Sequence, residues 1–227
     1  RFRWKARDYL GTPERKRVYN EFHFAEAASR YDLVTRALSL GRDRAWKRHL
    51  VAFLPEISSP RCVDLACGTG DVAFLLAERY PCGTVVGLDI SMPMLDIARR
   101  RNRYINTRFE RGDLCALPLP DASFDIVTGS YALRNAPDLR VALAEIRRVL
   151  KPGGTMTMIV WCGINENPWL GSAKDIVLRY LPPPGENAQT CGPGPFSMAD
   201  TGVVTKQLEI AGYKSIKFEQ VDAKVFV

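Results

Sequence analysis

Cys62-Val63-Asp64-Leu65-Ala66-Cys67-Gly68-Thr69-Gly70-Asp71, residues 62–71, is the stretch whose reading decides the fold. Its first half is apolar and β-prone apart from Asp64, and its second half sets Gly68 and Gly70 ahead of an apolar run from Val72 to Ala77. A buried strand that turns through glycines into a helix leaves backbone N–H groups pointing out of the turn, where a ligand can approach the main chain closely. That is the opening of a nucleotide-binding βαβ unit. Gly68-Thr69-Gly70-Asp71-Val72-Ala73 formally fits G-x-G-x-x-G/A, a short pattern that does not by itself name the nucleotide.

The next strand narrows the choice. Thr84 to Leu88 (TVVGL) runs into Asp89, about twenty residues beyond the loop, where an acid accepts from both hydroxyls of an adenosine ribose. An adenosine-containing cofactor follows, either a nicotinamide dinucleotide or S-adenosyl-L-methionine (SAM). Asp64, inside the first strand, is placed to hold the turn's amides and a cationic cofactor. Asp113, after a third short strand at Arg108 to Glu110, offers another acid beside the adenine. Three carboxylates at consecutive strand ends suit a sulfonium with an α-amino group and would repel a pyrophosphate. SAM is the expected cofactor, with S-adenosyl-L-homocysteine as its product.

From Cys62 to Gly154 the chain resembles class I SAM-dependent methyltransferases, most closely the ubiquinone/menaquinone biosynthesis C-methyltransferases. The resemblance rests on VDLACGTGD, GLDIS followed by MLDIAR, GDLCALPLPDASFDIVTGSYALRNAPD and EIRRVLKPGG, and upstream on FAEAASRYDLVTRALSLGRDRAWKR. It covers roughly the first two thirds of the chain. It implies a Rossmann-like α/β fold, a mostly parallel sheet with helices on both faces and an N-terminal helical cap. It also implies cofactor contacts at Thr69, Asp89, Ile90, Asp113, Leu114 and Ser130, beside the Gly68 and Gly70 backbone, with Tyr31 reaching the cofactor from the cap. Arg134 and Asn135, just after the fourth strand, are candidates for stabilising an oxyanion on the acceptor; the plainer role for Arg134 is an ion pair that holds the cap shut. His23 is the candidate proton acceptor, against the plainer reading of a packed histidine.

Composition sets the remaining bounds. A chain of 227 residues can bury a full core, and 46% hydrophobic with 25% charged residues reads as an ordinary globular protein. No apolar run approaches the length of a membrane span and no signal-peptide core is visible, so a cytoplasmic location is expected. The six cysteines, with no C-x-x-C pair, read as reduced thiols, and no metal site is expected. The formal charge of +7 gathers in Arg1–Arg17, in the stretch from Tyr31 to Arg48, and in Arg99 to Arg111. Such clusters attract nucleic acid or anionic lipid, but the third ends a predicted helix, where cations suit the dipole and a solvated face needs no ligand.

Along the chain, Pro13 to Leu54 has helical spacing broken near Ser39-Leu40-Gly41, with Tyr19, Phe22, His23, Ala27, Tyr31 and Val34 on one face. Residues 1–54 are therefore read as a helical cap and 55–227 as the SAM-binding core. Strands at Thr84–Leu88, Arg108–Glu110, Phe124–Gly129 and Thr155–Trp161 alternate with helices opened by Ser91 and Asp138, the latter helix ended by Pro152-Gly153-Gly154. Residues 162–196, rich in proline and glycine, depart from the family and read as a lid-like insertion, with a short helix over 172–180. Trp161 and Trp169 are candidate walls of an acceptor pocket. A helix near Ala199–Ala211 and a strand near Ser215–Val221 follow, leaving no room for the family's further antiparallel strand, so the C-terminus is expected to be incomplete.

The expectation is a methyltransferase for a small, aromatic or apolar acceptor resembling a quinone precursor or natural product. The alternatives are a nucleic-acid methyltransferase, for which the Asn/Asp-Pro-Pro-Tyr/Phe motif is absent, and a SAM-binding protein without methyl transfer. A small-molecule acceptor is the expected partner and nucleic acid is disfavoured; peripheral membrane contact and homodimerisation are compatible with the sequence.

Overall fold

The computed structural model describes residues 11–168 and 196–222. Trp169, the helix expected over 172–180 and most of the 162–196 insertion lie outside the described residues. Among the described residues three helices come first: α1 (Pro13–Ala27), α2 (Tyr31–Leu38) and α3 (Asp43–Ala52). A single 3-10 turn at Ala28–Arg30 separates the first two, and Leu40 and Gly41 at positive φ separate the last two. There follow β1 (Arg61–Leu65), α4 (Asp71–Arg79), β2 (Thr84–Asp89), α5 (Met92–Arg101), β3 (Thr107–Arg111), β4 (Phe124–Ser130), α6 (Leu139–Val149), β5 (Leu150–Ile159) and α7 (Thr201–Ile210). The strands pair in parallel in the order β3-β2-β1-β4-β5.

Alternation along the strands sorts the core into two layers. Val63 and Leu65 of β1, Val86 and Leu88 of β2 and Val127 of β4 pack with Leu143, Ile146 and Val149 of α6 and with Val204 and Leu208 of α7. Their neighbours Cys62, Val85 and Ile126 pack with α3, α4 and α5 through Leu50, Val51, Ala73, Leu76, Leu95 and Ala98. Successive side chains of a strand point to opposite faces, so near-continuous apolar strands cover both sides of the sheet with helices.

Several boundaries differ from the sequence reading. Lys151 to Gly154 do not merely end α6; they begin β5, because the main chain turns directly at Leu150, φ −71 and ψ 134, into the ladder beside β4. Among the described residues, 213–222 carry no strand. The expected inner face of α1 and α2 holds only in part: Tyr19, Ala27 and Tyr31 are half-buried, with Tyr31 at the cleft, whereas Phe22, His23 and Val34 are exposed and Asn20 and Phe24 face the protein. Polar anchors decide that orientation. Lys16 donates to the Ala136 carbonyl, Asn20 to that of Asn135 (2.6 Å), and Arg17 pairs with Asp113 (3.0 Å).

Asp64 is a second correction. It shares a sheet face with Cys62 and lies 1% exposed beneath α4, where it accepts from Thr128 Oγ1 (2.9 Å) and does not line the ligand cleft. Burial pushes its carboxyl up to about 7, while Thr128, Lys47 and the Ala73 amide favour the charged form and Asp89 opposes it. Because the folded value exceeds that of the unfolded chain, the native state holds the extra proton between about pH 4 and pH 7, and stability falls as pH rises through that window. Asp64→Asn removes this titration. Chemical denaturation of both proteins at pH 5 and pH 8 is expected to show the variant gaining on the wild type at pH 8; an equal difference at both pH values would contradict the assignment.

Candidate active site

Strand order reverses between β1 and β4, and in open α/β sheets the crevice outside the strand carboxyl ends at such a point receives ligands. A cleft of about 710 Å³, including its open mouth, lies there. Ala66 and Gly68 border it after β1, Asp89 and Ile90 at β2, Gly112 to Leu114 after β3, and Ser130 to Ala132 at β4. Asn20, Phe24 and Tyr31 close it from the N-terminal helices.

The turn after β1 is fixed by main-chain bonds. Cys67 N–H donates to Leu88 O (2.9 Å) and Gly70 N–H to Cys67 O (2.9 Å). Asp89 completes the clasp: one carboxylate oxygen accepts from Gly68 N–H and the other from Ser91 N–H, each at 2.8 Å. Burial raises the Asp89 pKa, while the Ser91, Gly68 and Ile90 amides favour the anion. Gly68 and Gly70 adopt φ +55 and +95, and a Cβ on Gly70 would stand 2.8 Å from Phe74 and 3.1 Å from Phe109. Gly70 therefore shapes the turn from behind rather than facing the cleft.

Of the expected cofactor residues, Tyr31, Gly68, Asp89, Ile90, Asp113, Leu114 and Ser130 border the cleft. Asp64, Thr69 and Gly70 do not. Thr69 is buried and donates its hydroxyl to Asp32 (2.7 Å), which ties the turn to α2. Asp113 borders the cleft already engaged, paired with Arg17 and accepting from Cys115 N–H (2.9 Å). Ser130 Oγ is buried without a partner in the described structure. Cys67 is buried and its thiol pKa is pushed well up by burial, which makes it a packing residue.

The expected catalytic residues separate. Asn135 borders the cleft, and its side-chain amide donates to Tyr131 O (3.5 Å). Arg134 lies behind that rim. Burial lowers its pKa, Tyr31 and Tyr131 act in the opposite sense, and its Nε is buried without a partner. Among the described residues no carboxylate pairs with it, so the expected ion pair is not found there; α1 is instead held by Lys16 donating to the Arg134 and Ala136 carbonyls. His23 is exposed, stacks on Tyr19 (5.3 Å) and does not border the cleft, because α1 turns its Asn20 and Phe24 side inward.

Sequence reasoning missed Asn20, Phe24, Ala66 and Tyr131. Asn20 and Phe24 lie one helical turn apart, a spacing that pairs them on one face once that face is known to be inward. Ala66 and Tyr131 follow β1 and β4 in left-handed conformation, φ 48 and 59. Non-glycine residues held there store strain that the surrounding structure must compensate, and composition does not announce it. Trp161 stacks on Tyr131 (5.5 Å) and meets Trp46 edge-on (5.6 Å), which backs the cleft wall without bordering it.

The basic cluster from the last turn of α5 to the end of β3 is largely paired. Arg101 joins Asp71 (2.6 Å), Asp32 (3.3 Å) and the Thr69 carbonyl; Lys47 of α3 bridges Asp43 and Asp71; Arg111 pairs with Glu21. These contacts lash α2 and α3 to the glycine turn and its helix, and α1 to the end of β3.

Residues 13–183 match the family model described as the ubiE/COQ5 methyltransferase family. A demethylmenaquinone methyltransferase of Thermus thermophilus is 47% identical over 60% of this chain and 63% of its own length. A 2-phytyl-1,4-naphtoquinone methyltransferase of Synechococcus elongatus is 37% identical over 74% of each chain. Among solved structures, a methyltransferase in complex with the Trm112 activator of Haloferax volcanii superposes with a TM-score of 0.63 at 25% identity, covering 83% of this chain and 75% of that one. The chain spans just under two thirds of the length of the Thermus relative. By its sequence, its parallel sheet and its glycine turn, this chain belongs to the ubiE/COQ5 methyltransferase family.

Proposed function

We propose that the protein transfers a methyl group from SAM to a small aromatic acceptor of the quinone-precursor kind, in the cytoplasm. The observation that carries this reading is the Gly68–Asp89 clasp opening onto a cleft at the switch point. The residues fit SAM. Where a Gly68 Cβ would stand, the nearest atom is Tyr31 Cε1 at 3.9 Å, which leaves the backbone approachable. Asp89 retains lone pairs beyond its two amide bonds, and Ser130 Oγ, buried and unpaired, needs a polar partner. Leu88, Ile90, Met94 and Leu114 give the cleft an apolar wall suited to an adenine, with Asp113 at its edge.

SAM supplies an electrophilic methyl group whose leaving group is a neutral thioether. The chain's own part is to bind, align and manage charge on the acceptor. Alignment alone contributes roughly 7 to 11 kcal/mol toward such a displacement. Asp89 holds the ribose hydroxyls; the Gly68 backbone, framed by Gly70, receives the methionine moiety. Arg134, a buried cation beside Tyr31 and Tyr131, stabilises the phenolate that forms when an acceptor hydroxyl gives up its proton to water; that oxygen or a ring carbon then takes the methyl, and a methylated ring carbon loses its own proton to water. In this reading residues 1–54 act as the cap, 55–227 as the core and 162–196 as a lid over the acceptor. The quinone-ring activities named for the two relatives support an acceptor of that class.

Calorimetry is expected to show binding of SAM and no comparable affinity for NAD. Asp89→Ala should weaken SAM by about 3 kcal/mol, roughly a hundredfold, through lost charge-assisted hydrogen bonds. Its melting temperature should fall as well, because the Gly68 and Ser91 amides lose their acceptor. An unchanged affinity would remove Asp89 from the ribose site. Arg134→Met should leave SAM affinity nearly intact and lower kcat roughly a hundredfold on a quinol or naphthol acceptor; wild-type turnover would exclude Arg134 from anion stabilisation.

A further inference from the structure

Asp43, the first residue of α3, is 8% exposed, and its backbone N–H is held by Ser39 Oγ (3.1 Å). Its Oδ2 pairs with Lys47, while its Oδ1 is buried and has no hydrogen-bond partner among the described residues. Lys47 is shared with Asp71, which Arg101 also joins, and Arg101 reaches Asp32 as well. Three acids against two cations leave one negative charge in excess, and a buried carboxylate oxygen is costly unless a water or a ligand meets it.

The carboxylate belongs to a group that reaches the cleft. Trp46 lies one turn along α3 from Asp43 and meets Trp161 edge-on (5.6 Å), and Trp161 stacks on Tyr131 (5.5 Å), which borders the cleft. Burial raises the phenol pKa of Tyr131 and of Tyr31, and Asp43 adds to it in each, as the foremost charge acting on Tyr131. Arg134 acts on both phenols in the opposite sense, so the acid, the two hydroxyls and the buried cation are neighbours. The groups facing Asp43 are Lys47 on its own helix, Tyr31 and Asp32 from α2, Asp71 from α4 and Tyr131 after β4. Burial raises its carboxyl pKa, Lys47 lowers it, and Asp71 and Asp32 raise it again; the net rise makes it a stronger base than an exposed carboxylate.

We propose that Asp43 is a positioning residue for methyl transfer: a water held between its Oδ1 and the Tyr131 hydroxyl receives the acceptor's proton and hands a proton on to the carboxylate. The acceptor O–H bond breaks and its electron pair stays on the acceptor oxygen, beside Arg134. The methyl group then leaves sulfur, which keeps the S–C electron pair, and bonds to that oxygen or to a ring carbon. Asp43 returns the proton to solvent once the product has left. The inference rests on the methyl transfer proposed above and names the group that drains the proton from it.

The test is methyl transfer from SAM by the full chain to two acceptors, 1-naphthol, which enters protonated, and 4-nitro-1-naphthol, which is already ionised at about pH 8. Calorimetry with S-adenosyl-L-homocysteine checks that each variant keeps its cofactor site. On 1-naphthol, Asp43→Asn should lower kcat roughly a hundredfold with KM nearly unchanged, and should abolish the fall in kcat that the wild type shows at low pH as Asp43 takes up a proton. On the nitronaphthol the same variant should keep wild-type kcat, because no hydroxyl proton has to be removed. Tyr131→Phe leaves the ring on Trp161 and removes only the hydroxyl, so it should repeat the acceptor-dependent loss even where the asparagine variant folds poorly. Equal losses on both acceptors would make Asp43 and Tyr131 packing residues and overturn the proposal, and so would wild-type turnover of 1-naphthol by either variant. A wild type that binds SAM but methylates neither naphthol is a different result, which overturns the proposed function and the relay together.

Discussion

Asp89 is the residue on which the site's geometry depends. Its two oxygens each take one amide at 2.8 Å, from Gly68 in the turn after β1 and from Ser91 at the start of α5. That single carboxylate couples the ends of two neighbouring strands, whose register, Leu65 opposite Leu88, already brings the turn alongside it. Two charge-assisted bonds in a buried setting fix the turn more firmly than neutral ones would. A group that is desolvated yet amide-bonded remains able to accept further bonds from a ligand. The same contact thus shapes the cleft and leaves the carboxylate at its border.

From the clasp a second tier of polar contacts reaches outward. Thr69 to Asp32, Arg101 to Asp32 and Asp71, and Lys47 between Asp43 and Asp71 form one connected chain from the turn through α4 and α5 to α2 and α3. Exposed pairs of this kind contribute little one at a time, and connected partly buried ones contribute more. Lys47 shows the balance: burial acts to discharge it, and Asp71 and Asp43 more than offset that, so its pKa ends above the usual lysine value. The consequence for function is positional. The N-terminal helices are held over the cleft by polar latches, which frees their apolar side chains to face away from the protein.

The central βαβ logic was legible because it is local. Glycines at 68 and 70 and the cap at Asp138 act within a few residues of the features they announce, and the acid at 89 ends the very next strand; Ser91 holds the cap position of α5 without a side-chain hydrogen bond. What was not legible depends on partners distant in sequence. Asp64 read as a ligand-facing acid, yet strand alternation puts it under α4 beside Thr128, sixty-four residues away. The face of α1 was misread because hydrophobic spacing assumes that apolar side chains turn inward, whereas Lys16, Asn20 and Arg17 find acceptors around residues 113–136. Tyr131 lies inside a stretch that carries the family resemblance, but its place at the cleft follows from a left-handed backbone and from stacking on Trp161.

The central claim is that the clasped turn, the β2 acid and the cap together form one SAM site at the switch point. A crystal structure of the protein with S-adenosyl-L-homocysteine tests it most directly. The account predicts the ribose hydroxyls on Asp89, the adenine along Ile90 and Leu114 with Asp113 at its edge, and the thioether facing Tyr31 and Tyr131. Ligand bound away from this cleft, or within it but with Asp89 touching only the Gly68 and Ser91 amides, would contradict the account.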